Sequence, residues 1–74
     1  MAIRVEKLND PAVANGANQA IPHALGAVPD IYWITNDTDA LIVESVATPP
    51  DAAAIYVDNS IGGPGNCTAV AVVL

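Results

Sequence analysis

Six prolines and five glycines punctuate this 74-residue chain, and no stretch between them carries the 3.6-residue apolar period of an amphipathic helix. What lies between the breaks is β-branched and aromatic, the composition that suits a pleated, half-buried surface. Ile3-Arg4-Val5-Glu6-Lys7 alternates apolar and charged residues and predicts a strand, which Asn9-Asp10-Pro11 should stop. Ala12 to Ala20 is Ala, Asn, Gly and Gln with one Val, and reads as an arm or loop. Ile21 to Pro29 holds two prolines and Gly26, which predicts an extended approach and a tight turn.

Asp30 to Thr35 then reads as a strand, Asn36 to Asp39 as a turn, and Ala40 to Val46 as the returning strand of a hairpin. After Thr48-Pro49-Pro50-Asp51 comes a short strand at Ala53 to Val57, and Ser60 to Asn66 is too rich in Gly and Pro for regular structure. In Cys67 to Leu74 two sets alternate, Thr68, Val70, Val72 and Leu74 against Cys67, Ala69, Ala71 and Val73. Both are mostly apolar, so this strand should be covered on one side by its own domain and on the other by a neighbour. The expected fold is all-β: a small antiparallel sandwich or barrel of about five strands, with residues 1–20 as an extended N-terminal strand or arm and 21–74 as one small β domain.

For a chain of 7.5 kDa the surface-scaling law gives roughly 4,200 Å² exposed after folding, about 40% of the extended chain's surface. Such a core is thin, and fourteen alanines make it thinner. Small domains in this position add a disulfide, a metal or a partner. A single Cys cannot form an internal disulfide, and one Cys with one His leaves the usual zinc patterns unfilled, so self-association or docking on a larger scaffold is the expected source of stability.

The formal charge is −6, with Arg4 and Lys7 as the only basic side chains, which argues against nucleic acid and anionic membranes as partners. No apolar run approaches the ~20 residues of a membrane-spanning helix. Arg4, Glu6, Lys7 and Asp10 stand within the first fifteen positions, where a signal peptide needs an apolar stretch, so synthesis and assembly in a cytoplasm are expected.

Candidate chemistry is sparse. His23 is expected to hydrogen-bond the Leu25-Gly26 turn rather than act as a base, and Cys67 to behave as a small hydrophobe. Neither Ser45 nor Ser60 sits in a nucleophile elbow. Six acids, Asp30, Asp37, Asp39, Glu44, Asp51 and Asp58, lie in or beside predicted turns, but without the spacing of a calcium loop. Among them Asp37 with Asp39 is the pair closest to a cation site. Gly62-Gly63-Pro64-Gly65 lacks the Lys of a phosphate loop, and the Asn36 and Asn66 glycosylation patterns have no secretory context. No enzyme, cofactor or metal is therefore expected. Trp33, Tyr32 and Tyr56 could stack on sugar rings, yet with Phe absent at least one must fill the core, and core or interface packing is the favoured role. Arg4 and Lys7 join these three aromatics as candidate interface residues.

The turn Ile21-Pro22-His23-Ala24-Leu25-Gly26-Ala27-Val28-Pro29, followed by a strand with Trp33-Ile34, resembles small β-modules of tailed-bacteriophage virion proteins. There a His-x-Leu-Gly-x-x-Pro turn precedes a strand with a Trp-Ile or Trp-Val pair. The likeness extends over about residues 21–74 through the Asp51 to Tyr56 segment and the Val-rich last strand, with Ala27 where family members often carry Arg. It implies a non-enzymatic virion protein, and a chain of this length running from Met1 to a final strand looks like a free-standing capsid cement or decoration protein. Such proteins form homotrimers on the capsid exterior and bridge the major capsid protein's capsomers. A tail, neck or fibre component, or a small carbohydrate-binding host-attachment module, are the alternatives.

Overall fold

The computed structural model describes residues 3–35 and 41–74. They form six strands and no helix: β1 (Arg4–Val13), β2 (Gly16–Pro22), β3 (Ile31–Thr35), β4 (Ile42–Glu44), β5 (Ala54–Asn59) and β6 (Gly65–Val73). Two three-stranded antiparallel sheets result, ordered β1-β6-β3 and β2-β5-β4. They face each other as a sandwich rather than closing into a barrel. The shortest dimension, 15 Å, is what two sheets about 10 Å apart occupy. The accessible surface is 4141 Å², close to the value expected from chain mass.

The first strand does not stop at Pro11. As an edge strand β1 pairs only with β6, and between Asp10 and Val13 it carries one more residue than the opposing Cys67 to Gly65 segment. A bulge on an edge tolerates a residue without an N–H. Asp10 Oδ1 accepts the Ala12 N–H there at 3.0 Å.

Residues 12–20, expected as an arm or loop, instead hold the end of β1 and most of β2. Leu8 and Val13 are buried in the core, so the described part of the first twenty residues is woven into both sheets. The sequence signal failed here because β2 has little strand propensity of its own. Pairing with β5 supplies its order, and Ile21 is its one buried side chain.

The predicted hairpin is also corrected. β3 pairs with β6 in one sheet and β4 with β5 in the other, so these consecutive strands face each other across the core instead of lying edge to edge. Two apolar segments with a polar connection satisfy either arrangement locally, and only partner strands distant in sequence decide between them. The turn expected at Asn36 to Asp39 lies outside the described residues.

The main core joins Leu8, Val13, Ile21, Ile42, Ile55 and Val57 to the small inward residues Cys67 and Ala69 of β6. At the far end of β6, Ala71 and Val73 are covered by Leu25 from the β2–β3 loop. Tyr32 packs against both groups and is the aromatic that serves the core.

Candidate functional site

The turn at His23 to Gly26 and the segment Asp51 to Tyr56 form a clasp. His23 Nδ1 accepts the Leu25 N–H at 3.2 Å, which leaves Nε2 to donate to the Asp51 carbonyl at 2.9 Å. Both ring nitrogens are thereby committed to backbone, and the expected turn bond is present. Gly26 follows with φ +74°, a conformation that favours glycine. Asp51 Oδ1 accepts the N–H groups of Ala53 and Ala54 at 2.8 Å each, and Oδ2 accepts the Tyr56 hydroxyl at 2.7 Å. The Tyr56 bond, then the two backbone bonds, hold the Asp51 carboxyl below its ordinary pKa, and the same bond to Asp51 raises the Tyr56 phenol. His23 meets the Asp51 backbone and not its carboxylate, so the pair is no acid–base dyad.

Arg4 and Glu6 complete the clasp from β1. The Arg4 guanidinium donates to the Leu25 carbonyl, and the Glu6 carboxylate accepts the Ala24 N–H at 3.0 Å from each oxygen. Arg4, a candidate interface cation by sequence, is thus engaged within its own chain. Tyr56 is half-buried in the clasp, and Tyr32 lies under the sheet, where burial and then Glu44 push its phenol pKa up.

The two remaining candidates, Lys7 and Trp33, stand together on the outer face of the β1-β6-β3 sheet. Register places Lys7, Val70 and Trp33 in one row across the three strands, with Val5, Val72 and Ile31 in the next row toward the chain termini. Ile3 and Leu74 continue the apolar surface at that end, while Asn9, Thr68 and Thr35 make the row on the other side polar. Ile3, Val5 and Trp33 are 65%, 63% and 47% exposed, and no element among the described residues covers them. A contiguous patch of this kind is comparable with the largest found on soluble monomers, ~300–600 Å². No carboxylate occupies an outward position on these strands, and neither Lys7 nor the Trp33 indole N–H has a hydrogen-bond or ion-pair partner among the described residues. Sequence reasoning picked out both residues without being able to show that they share a row.

Elsewhere the structure offers little chemistry. Cys67 is fully buried on β6, and burial, with Asp10 nearby, pushes its thiol pKa up and away from reactivity. Asn59, missed by sequence reasoning, is buried at the corner where the sheets meet, donating at 3.0 Å to the Val13 and Gly63 carbonyls and accepting the Ile61 N–H. Beside it an open depression is lined by Asn15, Gly16, Asp58 and Gly62, where Asp58 already accepts the Asn18 N–H. Among the described residues no three of His, Cys, Asp and Glu gather as metal ligands, and no helix is long and apolar enough to cross a membrane. Asp37 and Asp39 lie outside the described residues. A second, smaller apolar group, Leu41, Val43 and Val46, is exposed at the β4 edge.

Comparison with family models, characterised proteins and solved structures finds no match to this chain.

Proposed function

We propose that this protein is a structural component of a tailed-phage particle, a capsid decoration protein that acts by association and not by catalysis. The observation that carries the reading is the apolar outer face of the β1-β6-β3 sheet. A chain with so thin a core leaves Val70, Val72, Ile31 and Trp33 facing outward, an arrangement that stabilises only once another surface covers it. The likeness of the His23-to-Pro29 turn and the Trp33 strand to virion β-modules directs the reading to the phage particle. In this reading the protein is a homotrimer on the capsid exterior, bridging copies of the major capsid protein. The separate apolar group at the β4 edge supplies the second surface that a bridging protein needs.

Copy number in purified particles tests the proposal. Hundreds of copies per particle, with shells that burst at lower temperature when the protein is missing, fit decoration. Three to a few dozen copies move the protein to the tail, neck or fibre. Exposure of Trp33 beside the polar row of Asn9, Thr68 and Thr35 favours one other reading, a carbohydrate-binding attachment module. Glycan binding by a monomeric protein, abolished in a folded Trp33→Ala variant, would select it.

A further inference from the structure

We infer that the outer face of the β1-β6-β3 sheet is covered by a second copy of this chain, related by a rotation axis parallel to β6, with Lys7 of each copy set against Trp33 of the next. The inference deepens the self-association in the proposed function and rests on it.

The argument starts from the row Lys7, Val70, Trp33. Its cation and its aromatic ring stand on opposite edges of the sheet, two strand spacings or about 10 Å apart at the backbone with Val70 between them, and neither has a partner among the described residues. An axis parallel to β6 in front of this face preserves height along the strands while bringing the β1 edge of one copy to the β3 edge of the next. Lys7 then lies over the Trp33 ring at the same level, and the contact repeats at every interface because each copy holds both halves of it. A two-fold axis sets the two faces against each other, and a three-fold axis brings the β1 edge of one copy to the β3 edge of the next; both form the Lys7–Trp33 contact.

Charge and area point to the same occupant. The chain carries eight acidic side chains and two basic ones, so copies meeting through most of their surface would oppose carboxylates. The outward positions of these three strands hold none, and their single charge is the cation that the facing ring accepts. Around a two-fold axis, two patches of the ~300–600 Å² found on soluble monomers would bury on the order of 1,000 Å² in total, the lower limit of specific interfaces. Val70 and Val72 on the central strand, flanked by Val5 and Ile31, are compact enough for two such faces to interdigitate at the usual spacing of about 10 Å.

Trp33 is the only tryptophan, which makes its fluorescence a direct report on this face. Dilution series of the full chain should be followed by sedimentation equilibrium, with Trp33 emission and acrylamide quenching read on the same samples. The expected result is association in which emission moves to shorter wavelength and quenching falls in step with mass. Lys7→Glu should weaken association about tenfold or more, while Lys7→Arg retains it. All three proteins should show the same far-ultraviolet dichroism, since Lys7 is exposed and has no partner among the described residues. Association that leaves Trp33 freely quenchable would overturn this inference while sparing self-association. A shielded Trp33 with Lys7→Glu indistinguishable from the parent would overturn the axis and the pairing. A chain that stays monomeric at millimolar concentration would overturn both the inference and the reading beneath it.

Discussion

Replacing Asn59 by Ala should cost this domain about 2–4 kcal/mol. The side chain is 2% exposed and satisfies three backbone groups, the carbonyls of Val13 and Gly63 and the N–H of Ile61. Those groups belong to the end of β1 and to the β5–β6 loop, so the amide ties together the point at which the chain passes from one sheet to the other. A net contribution near 1 kcal/mol per hydrogen bond accounts for about 3 kcal/mol, and each buried group left without a partner and out of reach of water adds to it. In a domain of this size 1 kcal/mol shifts the melting temperature by about 4–8 °C, so the variant should melt roughly 10–25 °C lower. Urea unfolding followed by circular dichroism at fixed protein concentration measures the difference, with an unchanged m-value showing that the same surface is exposed. Asn59→Asp sharpens the test, because a carboxylate keeps the acceptor for Ile61 but presents oxygen to two carbonyl oxygens. At pH 7 it should destabilise at least as much as Ala, and its deficit should shrink as acid protonates the carboxyl. A loss below about 0.5 kcal/mol for Asn59→Ala, the size of an ordinary surface substitution, would refute the view that this residue holds the corner.

Gly65→Ala should destabilise by about 1–3 kcal/mol, because a Cβ there would sit 2.6 Å from Ile61 Cδ1 and 2.7 Å from Ile42 Cδ1. Ile61→Val removes one of those methyl groups, and the double variant should recover part of the loss in a thermodynamic cycle. The Asp51–Tyr56 bond predicts two pH limits to stability. Asp51 has a lowered pKa in the fold, so its contribution is complete above the unfolded value of ~3.9 and is lost as pH falls through the folded one. Tyr56 has a raised pKa, so its contribution is complete below ~10 and is lost as pH rises through the folded value. Asp51→Asn should flatten the acid limb of melting temperature against pH, and Tyr56→Phe should flatten both. Cys67 should react with a thiol reagent only as fast as the domain opens, so labelling that outpaces unfolding would contradict its burial.

Much of the fold was legible because strand patterning is local. Alternation in β6 separates Cys67, Ala69, Ala71 and Val73, which the structure buries, from Thr68, Val70 and Val72, which point outward. Its second apolar face led to the expectation of a covering neighbour, and among the described residues Val70 and Val72 stand on the outer face of the sheet. Turn chemistry was equally local, since the bond from the Leu25 N–H to His23 spans two residues. Among site residues, the sequence narrowed the interface candidates to two cations and three aromatics but could not sort them. Arg4 proves to be held by Leu25, and Tyr32 and Tyr56 by the core and the clasp.

Composition and alternation by themselves determined that this chain is all-β, thin-cored, acidic and dependent on small turns, because each of those properties is set by residues within a few positions of one another. Only the tertiary structure decided which strands pair, since a strand's pattern specifies its inward face and not the identity of its neighbour. That is why β3 and β4 separate into different sheets, why a weak segment such as Gly16–Pro22 is ordered by β5, and why β1 continues past a proline. The row that aligns Lys7 with Trp33 was likewise invisible in sequence, because it exists only through β6, whose paired residues lie more than thirty positions from their partners on either strand and set the register of both.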